Sequence, residues 1–467
     1  MSILASLFMK KTHGNASWAG FLKKRQIINP NHTGLVVDGV NHLTEKTSCQ
    51  HLMLLAPSGM GKTYKYIYPN LMRQNFHGSI VVMDPSGEIF EKTAASLQKQ
   101  GANIIVIRPF SDEKTNYYNP LKNVNTLSEA KQIADALTDQ IKSKGNPFWD
   151  RAGSSLLASL IYFMGLVDTK NIACFTTLKS LLSLDDQKRD ALICKLKNKQ
   201  LNEEYSLYEN SATEVKASIL ATAKAAIEIY SDENIAQLTE KSDFEFKEIK
   251  EKETIVYVII PETKIYYCRG FLSLFYKQLF DFLTEYKDEK NSYGHHVQVF
   301  LEEFGNIGRI PNMSSYLTTI RKRRVSISIV IQSIHQIHAL YGDNAQSIIS
   351  GCVSKLFYPG IDDVKTLKMI SDLLGQKTIQ SSTYNSSSEG TSYGTSGQSL
   401  MTVDQLRTMD DNHGILISRN YLPIYLRNIK EFHTQKQLQS FIEYNEQNEF
   451  NFCDEREIVT AHAWIYT

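Results

Sequence analysis

The residues Ala56, Pro57, Ser58, Gly59, Met60, Gly61, Lys62 and Thr63 follow the pattern GxxxxGK(S/T), with alanine in its first position. Their types suit a polyphosphate. Gly59 and Gly61 let backbone N–H groups curl around a β-phosphate, Lys62 reaches the β and γ oxygens, and Thr63 offers a hydroxyl to Mg²⁺. The N-terminus of the helix that follows favours anions. Ala56 is a small departure, because that position mainly has to be compact. The alternative is a glycine-rich turn that binds nothing. Further along, the apolar run from Val297 ends in two carboxylates, Glu302 and Glu303. The first is placed to hold Mg²⁺ through its water shell, the second to orient and polarise an attacking water. The run Ser326–Ile331 delivers Gln332, an amide suited to sensing a γ-phosphate. Arg321 opens the densest basic cluster, Arg321 to Arg324. Such a cluster is either a solvated helix end, favoured there by the helix dipole, or a source of one arginine for a neighbouring subunit's site, Arg321 by preference, with the others facing a nucleic-acid channel.

These groups need strand ends to hold them, and the sequence supplies strands. Short β-rich apolar runs, each followed by a helical stretch, occur at His51–Ala56, Ser79–Met83, Asn103–Ile107, Thr254–Ile260, Val297–Leu301, Ser326–Ile331 and Lys355–Tyr358. This alternation predicts an α/β fold with a parallel-rich central sheet and helices on both faces. A strand between the carboxylate strand and the phosphate loop leaves room for water, the layout of ATP-hydrolysing motors rather than of small-molecule kinases. Roughly 145 residues without a convincing strand separate the third and fourth runs. There Thr126 and Glu129 form a capping box, and Val215, Ile219, Ala226 and Tyr230 recur at helical spacing. The expected organisation is an N-terminal segment 1–46, a nucleotide-binding domain in two pieces (47–122 and 247–435), an inserted all-helical domain 123–246 and a tail 436–467. Gln380–Ser399, dense in Ser, Gly and Thr, reads as a mobile loop. Gly414–Ser418 and Leu422–Leu426 read as late strands.

Composition narrows the class. The chain has 467 residues, with 51 basic against 50 acidic side chains and a net charge of +1. Disorder, collagen-like repetition and a disulfide-stapled miniprotein are excluded. Bulk positive charge cannot coat nucleic acid here, so any such contact must be local. Cys49, Cys174, Cys194, Cys268, Cys352 and Cys453 lack metal or CxxC spacing, which points to buried thiols in a reducing compartment. The run Met1–Met9 is apolar but too short to cross a bilayer. With Lys10, Lys11, Lys23, Lys24 and Arg25 behind it and no acid before Asp38, it reads as a weak interfacial anchor or as a hydrophobic end docking on the body. A signal peptide fits less well, since the apolar stretch precedes the charges.

Taken in order, the motifs resemble the coupling proteins of type IV secretion and conjugation, the TraG/TraD-type ATPases, over roughly Gly14 to Phe432. Gly14 to Ala19 is similar to the family's segment ahead of the nucleotide domain. Val82 to Glu88 is similar to its DPKGE motif, with Ser86 where Lys is usual, and Asn119-Pro120-Leu121 to its NPL element. Phe148-Trp149-Asp150 opens what resembles its helical domain. Leu301 to Gly305 matches its LDEFG strand with Glu302 replacing Asp, and Ile331-Gln332-Ser333 its sensor strand. The resemblance implies a RecA-like P-loop ATPase of the additional-catalytic-glutamate type that binds ATP and Mg²⁺ and assembles, with ATP, as a ring, expected to be a hexamer. It implies DNA or DNA-linked protein as cargo, a relaxase or DNA-processing complex as partner, and a type IV channel as destination. Arg321 takes the role of the finger acting in trans, and the helical domain that of meeting the DNA-processing complex. The family's N-terminal membrane helices have no counterpart in the sequence, so the expectation is a bacterial cytoplasmic protein brought to the inner membrane by a separate partner. Two other readings stay open: a coupling ATPase for protein effectors, and a nucleotide-gated adaptor that recruits substrates and hydrolyses little.

Overall fold

The computed structural model describes residues 12–72, 77–141, 147–167, 173–290, 292–385, 390–431 and 436–452. The apolar run Met1–Met9, Lys10, Lys11, Cys453 and the end of the tail lie outside them. The strands are β1 (Leu52–Leu55), β2 (Gly78–Asp84), β3 (Asn103–Ile107), β4 (Thr254–Ile259), β5 (His296–Leu301), β6 (Val325–Ile331), β7 (Ser354–Phe357), β8 (Gln376–Asn385), β9 (Gly390–Ser399), β10 (Gly414–Ser418) and β11 (Ile424–Leu426). The chain divides into two compact units, Met1–Phe76 with Ser326–Ile442, and His77–Val325 with Glu443–Thr467.

In the first unit the sheet order is β11, β10, β7, β1, β6. β1 runs parallel to both β6 and β7, with Leu52 opposite Ser328 and Ser354. β10 is antiparallel to β7 and to β11. All of β1 is buried, which is why it reads as an unbroken apolar run rather than an alternating one.

The second unit carries β5, β2, β4 and β3 in that order, all parallel. Between β3 and β4 the described residues hold helices and no strand, beginning with Leu127–Asp139, Pro147–Val167 and Phe175–Ser183. The capping box is formed: Thr126 accepts from the Glu129 N–H while the Glu129 carboxylate accepts from the Thr126 N–H. Helix Pro147–Val167 is buried along most of its length, from Ala152 to Met164. Its Gly165 lies so close to the previous segment that a Cβ would sit 2.0 Å from the Val124 carbonyl oxygen. By compactness these helices fall in one unit with β2–β5.

Two expectations need correcting. Gln380–Ser399 is not a loop: β8 and β9 pair in antiparallel register from Gln376–Ser399 to Asn385–Gly390. A two-stranded hairpin pairs the inward-facing half of its backbone groups across the strands and leaves the other half to water, so a polar sequence can form it. Its base is held from outside, where the Ala16 N–H donates to the Gln376 carbonyl (2.9 Å) and the Thr378 N–H to the Gly14 carbonyl (3.2 Å). Second, Cys194 is exposed, whereas Cys49, Cys174, Cys268 and Cys352 are buried. Burial pushes the Cys268 and Cys352 thiols up to about 12, which keeps them protonated and unreactive. Among the described residues, no helix is long and apolar enough to cross a membrane.

Candidate nucleotide site

In the first unit β1 leads directly into the phosphate loop. The Ala56 N–H donates to the Ile331 carbonyl (3.0 Å), so the loop begins hydrogen-bonded to the end of β6. Gly59 and Gly61 have φ of 80° and 74°. An L-residue there would be strained by roughly 1–2 kcal/mol. A Cβ on Gly59 would meet nothing within 4 Å, so the backbone conformation, not crowding, requires glycine at that position. Lys62 and Thr63 are half-buried at the loop's end.

The helix after the loop opens with one wide turn, Thr63–Ile67, in which the Tyr68 N–H donates to the Thr63 carbonyl. It continues as α-helix over Tyr68–Leu71. Pro69 supplies the local reason. In a regular helix the Lys65 carbonyl would have no donor from residue 69 and would crowd its ring, and a wider turn relieves that conflict. The turn is anchored on three sides. Lys65, itself buried, donates to the Asp411 carbonyl (2.8 Å). The Tyr66 hydroxyl shares a hydrogen bond with Ser328 of β6 (2.7 Å). Asn70 exchanges bonds with the Val36 backbone in both directions, at 2.9 and 3.0 Å.

Gln332 stands one residue beyond the Leu55–Ile331 pair of β1 and β6, and so beside the start of the loop. Its N–H donates to Gln336 (2.9 Å), and Ser333 caps the helix Ile334–Tyr341. Ser333 also donates to Asp363 (3.0 Å), the cap of helix Val364–Leu374. The backbone of Gln332 is thus fixed by two helix caps, while its side chain is half-buried.

In the second unit β5 is buried throughout and ends in Glu302 and Glu303, which are only 4% and 6% exposed. Carboxylates this deeply buried need a partner or a ligand to justify the desolvation. Glu303 has φ 52°, a left-handed backbone unusual for a non-glycine residue. Asn306 supports it: its N–H donates to the Glu303 carbonyl (2.8 Å) and its side-chain amide to the Glu303 carboxylate (3.3 Å). On the neighbouring strand, Val82 of β2 pairs with Phe300. Two residues further, each strand reaches an acid, Asp84 and Glu302. Asp84 is fully buried, accepts the Phe90 N–H (2.8 Å), and is pushed up to about 6 by burial despite its hydrogen bonds. Ser86, where the resembled motif has Lys, turns inward and donates to Asp84 (3.4 Å), while Glu88 forms an ion pair with Lys92. The DPSGE turn therefore builds its own network.

Of the four clustered cations, Arg323 lies over the Tyr293 ring (4.7 Å) and Arg324 donates to the Gly294 carbonyl (3.3 Å). Arg321 is exposed and has no partner among the described residues. The structure thus brings Ala56–Thr63 together with Gln332 in one unit, and Glu302, Glu303 and Asp84 together in the other. Asp84 is not among the site residues expected from the sequence; its position at a strand end, two residues past Val82, is the signal that marks it. Among the described residues no group of three or more His, Cys, Asp or Glu could hold a metal by itself. Mg²⁺ takes one or two protein ligands and completes its shell with phosphate oxygens and water. Thr63 and Glu302 are donors of the right type.

A left-handed phosphate loop at the end of a central parallel strand, with buried acids ending a second strand, defines an α/β P-loop nucleotide-binding protein. More narrowly, the chain belongs to the family described as Type IV secretory system Conjugative DNA transfer, whose model matches residues 9–452. It is 24% identical to Protein VirD4 of Rhizobium radiobacter over 459 residues, covering 92% of this chain and 65% of that protein. Conjugal transfer protein TraG of Escherichia coli is 24% identical over 425 residues, covering 79% of this chain and 65% of TraG. The chain thus spans just under two thirds of the length of these two relatives. Among solved structures, the bacterial conjugative coupling protein TrwBdeltaN70 aligns with a TM-score of 0.71 at 16% identity, covering 91% of this chain and 94% of that one. TrwB in complex with ADP and Mg²⁺ aligns with a TM-score of 0.69, also at 16% identity, over 91% and 95% of the two chains. These likenesses establish the fold, a RecA-like α/β core with added helices.

Proposed function

We propose that this chain is an ATP-driven coupling protein that links a relaxase–DNA substrate to a type IV secretion channel. The observation that carries the reading is the buried Glu302–Glu303 pair at the end of β5, in a chain that also has a complete phosphate loop. Family membership and the structures of TrwB in complex with an ATP analogue and with ADP and Mg²⁺ support it. Lys62 binds the β and γ phosphate oxygens, and the N–H groups of Pro57-to-Thr63 backbone other than proline's cradle the β-phosphate. Thr63 and, through water, Glu302 would hold Mg²⁺, which would neutralise charge on the phosphates. The Glu303 carboxylate accepts the proton of the attacking water, so the enzyme is of the additional-catalytic-glutamate type. Gln332 reads the presence of the γ-phosphate. Arg321, exposed and without a partner among the described residues, completes the site of the next copy in an ATP-dependent ring, expected to be hexameric. The helical segment 123–246 acts as the substrate-facing domain inserted into the nucleotide-binding domain.

The deciding experiment compares ATP turnover of the purified protein and its Glu303→Gln variant, with and without single-stranded DNA. The expected loss is about 10²- to 10⁴-fold with nucleotide binding retained. Equal turnover in the two proteins would sink the assignment of Glu303.

A further inference from the structure

The loop that follows Glu303 is held at one point by the helical segment. Gly308 has φ 96°, and a Cβ there would lie 2.8 Å from the Arg269 Cβ and 3.2 Å from Gln140 Oε1. The loop therefore passes tightly between helix Arg269–Glu285 and Gln140, the residue that caps the C-terminus of helix Leu127–Asp139. At the next residue the Arg309 carbonyl accepts two hydrogen bonds, from Gln140 Nε2 (2.8 Å) and Ser273 Oγ (2.6 Å). Gln140 Nε2 also donates to Ser273 Oγ (2.9 Å), closing a triangle. The Arg309 side chain donates from Nη1 to Asp139 (3.3 Å). Both the backbone and the side chain of one loop residue are thus tied to the last turn of the first insert helix.

The same loop carries strain at its other end. Glu303 and Asn312 both have left-handed backbones, with φ of 52° and 59°. Such conformations persist only where the surroundings over-determine them. Ile307 and Ile310 are fully buried on either side of the clamp, so a shift at Arg309 cannot be absorbed by loose side chains. A cleft of about 510 Å³, lined by Asp135, Asp139, Asp150, Lys277, Pro311 and Asn312, opens beside the clamp.

We propose that Gln140, with Asp139, is a positioning residue for Glu303. Through the Arg309 clamp it sets the pose of the catalytic carboxylate, so that whatever engages the helical segment and moves the end of helix Leu127–Asp139 tunes hydrolysis. The inference rests on the role of Glu303 proposed above.

Gln140→Glu tests it, because the side chain keeps its shape and loses the donor. Expected are a fall in kcat of about tenfold to a hundredfold, ATP affinity within twofold of the parent, and faster amide exchange in the peptide spanning 302–312. Asp139→Arg should behave similarly, and Arg309→Asp added to it should recover part of the turnover. A Gln140→Glu protein with normal turnover, alongside a parent whose turnover depends on Glu303, would overturn the clamp and leave the proposed function standing. Unchanged exchange over 302–312 would overturn the clamp whether or not the parent hydrolyses ATP. A parent without Glu303-dependent turnover would instead overturn the proposed function, and the positioning role with it.

Discussion

Glu303 combines a buried carboxylate with a left-handed backbone, and each feature costs stability. Replacing it separates the two. Glu303→Gly should be more stable than Glu303→Ala by about 1 kcal/mol, since only glycine relaxes at positive φ, and both should be inactive; chemical denaturation of the two variants measures the difference. Asp84 makes a pH-dependent contribution of defined sign. Its carboxyl is raised by burial from 3.8 to about 6. The native state therefore holds the proton more tightly than the unfolded chain. The associated stability is fully present below about pH 4 and is lost as pH rises through 6. Between pH 5 and 7 the loss should be about 1 kcal/mol. Asp84→Asn retains a carbonyl to accept the Phe90 N–H and should lack that loss, which denaturant midpoints at the two pH values would reveal.

At the scale of elements, local chemistry was readable where it is self-sufficient. The Thr126–Glu129 box and the all-apolar strands are written in a few adjacent residues, and they form as read. The β8–β9 hairpin was misread because its sequence has no apolar face, and its pairing is visible only once the two halves meet. It pairs with itself and is joined to its unit at the base, around Gln376–Thr378. Replacing residues 381–393 with a short turn should thus leave nucleotide affinity within about twofold and shift Tm by no more than a few degrees; equilibrium binding and calorimetry check both. The wide turn Thr63–Ile67 belongs to the same scale. Pro69 signals a conflict in the sequence, but whether a helix kinks, ends or widens there depends on what its neighbours hold in place, here Asp411, Ser328 and Val36.

For the whole molecule the sharpest prediction concerns copies of the chain rather than one chain. Arg321 is exposed and without a partner among the described residues, while Arg323 and Arg324 are engaged. Arg321→Ala should abolish turnover and preserve ATP binding. Mixed with Lys62→Ala, it should regain measurable activity, because some interfaces would then pair an intact loop with an intact arginine. Absence of rescue across mixing ratios would count against a finger acting in trans. Native mass measurement with an ATP analogue and single-stranded DNA would report ring size and cargo together.

The sequence alone determined the phosphate loop, the strand-end acids, the α/β alternation and the helical stretch between β3 and β4. These depend on residue types at short spacing, and short-range sterics and periodicity act without tertiary help. The tertiary structure decided what depends on burial and on distant partners. It gave Glu303 its left-handed backbone, raised Asp84, left Arg321 and Cys194 exposed and closed the Gln140–Ser273–Arg309 triangle. The last joins residues separated by 133 and 169 positions, and no local pattern encodes such a meeting, because it exists only after the chain has packed.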